Sequence, residues 1–271
     1  TMDGLSPDEV KQFGQLVKAQ ASPQEGEYVS AAFNLNAVLK DFNLVPADAP
    51  NISGAPTKEQ RALMLKGALQ SLDVAKEGGF KKATVDSASF TPPSYPLIEY
   101  FGVENLLDWA HHAHELGLET YASGGMRDYH FPILQLAGVD GVGVGFSIHD
   151  PPAPDKPGEA GRLLPEKVLS SLSARDGAEA APIGRTSVLV RMLDEKAAGG
   201  ALSDAEKALR DDALKEVRAV AHAIDVKLDG LKKARDAAND QAKAMPDGQP
   251  KTDALAAAKK GFEDGFKALI T

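Results

Sequence analysis

From Ala83 to Ser173, short apolar runs alternate with helical segments that close on glycine. No other feature of the 271-residue chain limits its fold as strongly. Ala83-Thr84-Val85-Asp86 predicts a strand ending on an acid. Val103 to Leu116 predicts a helix closed by Gly117, and Leu118 to Ala122 a strand that runs into Ser123-Gly124-Gly125. Tyr129 to Ala137 predicts a short helix closed by Gly138. Val139 to Ile148 then predicts a Gly- and Val-rich strand, followed by a Pro-rich loop and a helix over Pro165 to Ser173. Repeats of this length join parallel strands through right-handed crossovers. Nearly continuous apolar strands belong to a sheet covered on both faces. The fold class is α/β.

Upstream, Ser6-Pro7-Asp8-Glu9 carries a cap, a proline suited to the first helical position and a capping-box acid, so a helix starts there and continues through Val10, Phe13, Leu16 and Val17. Tyr28 to Phe33 predicts a short strand between Gly26 and Asn34, and Val45 to Pro56 a long polar loop. Thr57-Lys58-Glu59-Gln60 begins a second capped helix that stops at Gly78-Gly79. After Gly177 strand signals vanish. Ser203-Asp204-Ala205-Glu206 is a further capping box, and Leu209 to Leu231 form one apolar stripe on a long helix that ends before Pro246. Thr252 opens a last helix with Leu255, Phe262, Phe266 and Leu269. Without sustained heptads these segments predict a helical hairpin or small bundle. The chain thus divides into an α/β part over residues 1–178 and an α-helical extension over 179–271, which either packs on the domain surface or serves assembly.

Charge narrows the partners. Thirty Lys and Arg against 39 Asp and Glu leave a net charge of −9, with no basic stripe, which argues against nucleic acid. No apolar run is long enough to span a membrane. The absence of Cys and of a basic-then-apolar leader fits a reducing, cytoplasmic setting. Thr1 stands before Met2, so the chain is read either as carrying one extra residue or as a piece of something longer.

In parallel α/β proteins ligands gather at the carboxyl ends of strands. There Asp86-Ser87 places a carboxyl and a hydroxyl after an apolar strand, for acid–base work or for capping the next turn. Ser123-Gly124-Gly125 lets the backbone approach an anion just before a helix. Gly141-Val142-Gly143-Val144-Gly145 with Ser147 forms a second glycine-rich strand end. Glycines also serve tight packing, but two such turns in consecutive units point to phosphate. His130, at a loop-to-helix junction, is a candidate polar contact, and His149-Asp150 is either a reach into the site or a turn. His111-His112-Ala113-His114-Glu115 has metal-like spacing but lies away from the strand ends, so it reads as a solvated helix face. No metal or cofactor is called for.

Ala83 to Leu172 resembles the (5-formylfuran-3-yl)methyl phosphate synthase family, lyases of methanofuran and methylofuran biosynthesis. The resemblance rests on Val85-Asp86-Ser87-Ala88, Ala113-His114-Glu115-Leu116-Gly117-Leu118 and Ala122-Ser123-Gly124. It continues through His130-Phe131-Pro132-Ile133-Leu134, Asp140-Gly141-Val142-Gly143-Val144 and Gly161-Arg162-Leu163. It covers at most about two-thirds of the chain and none of the tail from Pro182. It implies a (β/α)8 barrel of TIM type, of which about four carboxyl-terminal units are visible, and condensation of two glyceraldehyde 3-phosphate molecules through a lysine Schiff base. Asp86 falls on the family's acid, and the Gly124-Gly125 and Gly143 to Gly145 turns fall on its phosphate region; Ser87, Ser123, His130 and Ser147 are read beside them as candidate substrate or phosphate contacts. Phe90 stands where the family has a lysine and Gly145 where it usually has an arginine, and the first-strand lysine has no counterpart. Four strands cannot close such a barrel alone. The expected partners are therefore a phosphorylated small molecule and either a chain supplying the missing half or a second copy. The alternatives are a non-catalytic assembly subunit that keeps a phosphate pocket, or another sugar-phosphate barrel enzyme.

Overall fold

A computed structural model describes residues 1–21, 28–52, 55–87, 96–150 and 161–269. Phe90, Ala88 and the Pro151-Pro152 loop lie outside the described residues. By compactness the chain divides into Thr1–Arg218 and Ala219–Thr271, with the division inside one long helix.

The first unit is built on four parallel strands, β1 (Ser30–Asn34), β2 (Lys82–Asp86), β3 (Glu119–Ser123) and β4 (Gly141–Val142), ordered as they occur in the chain. The connections carry α2 (Leu35–Asp41) and α3 (Lys58–Glu77), then α4 (Leu97–Phe101) and α5 (Val103–Glu115), then α6 (Phe131–Leu136). Before the sheet comes α1 (Pro7–Ala21), and after it α7 (Pro165–Ala180) and α8 (Pro182–Gly199). The first part of α9 (Asp204–Lys243) completes this unit.

The helix starts follow local chemistry. The Thr57 hydroxyl accepts the Gln60 N–H while the Gln60 side chain accepts the Thr57 N–H, closing a reciprocal cap on α3. Ser6 with Glu9 and Ser203 with Glu206 do the same for α1 and α9. α2 and α4 escape the sequence reading because they are only 7 and 5 residues long and buried on most sides, so no periodic stripe marks them.

Residues of β1 to β3 alternate between the two faces. Ala31, Phe33, Ala83, Val85, Thr120 and Ala122 are buried on the side covered by α3 and α5, whose Met64, Leu72, Leu106 and Trp109 are also sealed from solvent. On the other face Ser30, Ala32, Lys82, Thr84, Asp86, Tyr121 and Ser123 are only half-buried. The expectation of a sheet covered on both faces is corrected: the strands alternate polar and apolar, as a one-sided sheet does. β4 is corrected too. Pairing covers Gly141–Val142 alone, and the chain then turns into a 3-10 segment at Phe146–Ile148. Gly141, Gly143 and Gly145 supply no side chains to anchor a longer ladder.

α5 is tied to its surroundings by histidines. His111 Nδ1 lies 2.5 Å from Asp194 of α8, His112 Nε2 3.0 Å from Asp73 of α3, and His114 Nε2 2.9 Å from Asp140 ahead of β4. Asp140 also accepts the N–H and hydroxyl of Thr120 and pairs with Arg191 at 3.0 Å. Burial alone would raise its carboxyl, but the hydrogen bond and charge of His114, the Thr120 N–H and Arg191 together hold it below the ordinary Asp value.

The second unit is a helical hairpin. The carboxyl-terminal part of α9 packs on α10 (Gln249–Lys267), with Leu231 filling the space at Gly265 and the Arg235 guanidinium 4.4 Å from the Phe262 ring centre.

Replacing Asp140 by Ala leaves Arg191 and Thr120 without their shared acceptor. It is expected to cost about 3 kcal/mol in urea unfolding at pH 7. Because the folded carboxyl titrates lower than the unfolded one, its contribution is complete above the ordinary Asp value and fades as pH falls through the lowered one. The gap between wild type and Asp140→Ala in urea midpoint should therefore narrow on acidification below about pH 4.

Candidate functional site

The parallel register brings three polar residues to one rim: Asn34 of β1 is level with Asp86 of β2, and Asp86 with Ser123 of β3. Asn34 is committed to folding, since its Oδ1 accepts the Asn36 N–H and caps α2. Asp86 and Ser123 are bonded directly, the Ser123 hydroxyl donating to Asp86 Oδ2. Both are half-buried on the less covered face of the sheet.

Gly124 follows at φ +102°, a conformation that L side chains rarely adopt. A Cβ there would sit 2.3 Å from the Ser87 hydroxyl and 2.9 Å from Asp86 Oδ1. The backbone therefore runs directly against the acid and the buried Ser87. Gly125 also has positive φ, and a Cβ there would meet Pro96 Cα at 3.1 Å. The Gly124 carbonyl accepts the Leu97 N–H at the start of α4. Among the described residues neither the Gly124 nor the Gly125 N–H donates to a backbone carbonyl. Two successive amides that donate to no backbone carbonyl among the described residues form the kind of concavity that binds anions.

Arg127, two residues beyond, is exposed and makes no ion pair among the described residues. Sequence reasoning passed over it. The available signal was a cation two residues after a glycine pair.

The remaining candidates separate. The Gly143 N–H already donates to Ala122, and a Cβ at Gly143 would meet Ser123 Cβ at 2.9 Å. It brings β4 close to the site but offers no donor of its own. Gly145 is exposed with nothing near its Cβ position, and its carbonyl lies 3.0 Å from His149 Nδ1. An acceptor turned into its own loop gives a phosphate nothing to hold. The Ser147 hydroxyl is buried and without a hydrogen-bond partner among the described residues. His130 is sealed from solvent, its Nδ1 accepting the Arg127 N–H at 3.2 Å and its ring edge-on to Tyr129. Burial, and then the charge of Arg127, push its pKa down to about 3, so the ring is neutral at pH 7 and brings no charge to an anion.

The histidine-rich stretch on α5 is not the solvated face expected from its place away from the strand ends. His114 is buried, and the ligand atoms of His111, Glu115 and Asp194 lie within 4.8 Å of one another. Arg210 approaches the same group, 3.3 Å from Glu115 and 3.8 Å from Asp194. Asp194 is fully buried, and burial raises its carboxyl despite His111 and Arg210. With a guanidinium already placed among the acids, the cluster reads as an ion-pair network joining α5, α8 and α9.

No protein-family model matches the chain, and no curated protein matches it. None of the helices is long and apolar enough, among the described residues, to cross a membrane.

Gly124→Ala should lose about 2 kcal/mol through backbone strain and the collision with Ser87. Thermal unfolding measures the loss. Gly145→Ala, with open space around it, should shift the same transition by no more than about 0.5 kcal/mol.

Proposed function

We propose that the carboxyl rim of β2 and β3 is the phosphate and proton-transfer site of a sugar-phosphate enzyme of barrel type. Its reaction would be a lyase- or aldolase-like condensation of triose phosphates such as glyceraldehyde 3-phosphate, as in the furan phosphate synthases that the sequence resembles. The observation that carries the reading is the meeting of Asp86, Ser123 and the Gly124–Gly125 amides, which donate to no backbone carbonyl among the described residues, on neighbouring parallel strands, with Arg127 just beyond. Strand order that follows chain order, with α3 and α5 on one face and a half-exposed polar face opposite, supports a barrel segment rather than a doubly wound sheet.

In this reading the turn amides and Arg127 hold the phosphate. Asp86 removes the proton α to the substrate carbonyl. The resulting enediolate carbon attacks the aldehyde of a second molecule, and the new alkoxide takes the proton back from Asp86. Ser123 positions the carboxyl through its hydrogen bond to Oδ2. This route needs no amine; the Schiff-base lysine that the resemblance implies is not assigned to this chain. Lys82 lies on the same face, but four residues before Asp86, about 13 Å along the strand. Its hydrogen bond to Glu119 at 2.5 Å raises its pKa, so it stays protonated and poorly nucleophilic. A partner half-barrel, as a separate chain or a second copy, would supply the lysine.

The engaged Lys82 also favours a second reading, a subunit that keeps the phosphate pocket without the chemistry. Calorimetry with glyceraldehyde 3-phosphate, with mass-spectrometric detection of the six-carbon condensation product, separates the two. Wild type should bind, and Arg127→Ala should bind about ten-fold more weakly through loss of a charge-assisted contact. Asp86→Asn should keep binding while product formation falls at least about 100-fold. Binding without product under every condition leaves the second reading. No binding of either triose phosphate or inorganic phosphate overturns both.

A further inference from the structure

Beside the rim, a cavity of about 320 Å³ lies between β4, α6 and α7. We propose that it binds a medium-chain carboxylate. The volume falls at the small end of the roughly 300–1,000 Å³ typical of ligand sites, so the occupant is small.

α7 presents one stripe to it, Val168, Ser171, Leu172 and Arg175, at spacings of three and four. The direction of that stripe is fixed by Ser170, whose hydroxyl reaches Asp128 at 3.4 Å, just past the glycine turn after β3. Together with the Leu164 N–H, which donates to Ile148 after β4, this places Val168 nearer the segment that follows β4 and Arg175 two turns farther along the helix. Val144, Ile148, Gln135 and Asp140 also line it. Leu172 is 42% exposed although it lines the cavity, which gives an apolar mouth.

Charge selects the head group. Asp140, the acid in the wall, is hydrogen-bonded through Oδ2 by His114 and Thr120 and charge-paired through Oδ1 with Arg191, so its charge is already balanced by a fixed cation. Among the described residues Arg175 pairs only with the adjacent Asp176, at 2.7 Å, with more than half of both side chains exposed. Such a pair is weak and easily shared with a second carboxylate. From Val168 to Arg175 the helix rises about 10 Å, roughly the reach of an extended eight-carbon chain. An apolar body of that length ending in a carboxylate fits both ends.

The test is calorimetric titration of the full chain with octanoate, octanol and octylamine below their aggregation concentrations. Octanoate should bind saturably at one site, octanol about ten-fold more weakly, and octylamine not measurably. Val168→Trp should fill the cavity and abolish octanoate binding. Arg175→Gln, an exposed change that leaves folding intact by circular dichroism, should erase the preference for octanoate over octanol. The proposal is overturned by absence of saturable octanoate binding, by equal binding of octanol to wild type, or by an Arg175→Gln variant that keeps the preference. Loss of binding at the Asp86 rim would leave these outcomes unchanged, since none of the residues named here belongs to it.

Discussion

Register between β1, β2 and β3 is the constraint from which the site follows. It is set by hydrophobic alternation: Phe33, Val85 and Ala122 must all face α3 and α5. Slipping one strand by a single residue would turn every one of its side chains to the opposite face. For β2 that would drive the Asp86 carboxyl into the apolar layer and bring Val85 out, at a cost of several kcal/mol for an unmatched carboxyl. The pattern that buries the core therefore also fixes Asp86 level with Ser123 and makes their hydrogen bond possible. Folding and site assembly depend on the same few apolar residues.

A second level of order comes from α5. Its apolar side lies in the core, while His111, His112 and His114 each reach a carboxylate on a different element. These pairs differ in worth. The His112–Asp73 contact is exposed and contributes little. His114–Asp140 is buried and joined to the Thr120 backbone, so it couples the helix to the strands beneath it. Metal-like spacing on a helix has here a plainer explanation: residues three and four apart project toward neighbouring elements, and neutral or charged imidazole serves either state of a carboxylate partner.

Helix starts were the most legible part of the sequence, because a capping box is local and Thr57–Gln60 closes on itself regardless of tertiary context. The first three strands were legible through alternation and their glycine boundaries. The fourth was not, since a Gly-Val repeat satisfies apolar periodicity without providing side chains to hold a ladder. In the candidate site, Asp86, Ser123 and Gly124 could be read because a strand end is a defined position. His130 could not, because whether a histidine after a turn faces ligand or core depends on Tyr129 and the chain around it. Gly143 and Gly124 look alike in sequence, yet one N–H is bonded to Ala122 and the other donates to no backbone carbonyl among the described residues. Only the ladder distinguishes them.

An acid in contact with a turn proposed to bind an anion raises an electrostatic question that bears on which substrates suit the proposed site. Two like charges about 4 Å apart repel by roughly 1 kcal/mol in water and several-fold more where solvent is excluded. A bare phosphate lodged against Asp86 would meet that repulsion in full. The Ser123 hydroxyl draws on one carboxyl oxygen, and Arg127 stands on the far side of the glycines from Asp86 in the chain. A ligand whose phosphate lies toward Arg127 and whose uncharged carbonyl end lies toward Asp86 lowers the penalty and gains both sets of contacts. Short phosphorylated aldehydes and ketones have that polarity, whereas inorganic phosphate and bisphosphates do not. The arrangement thus favours a molecule charged at one end only, with its reactive carbon held next to the carboxyl.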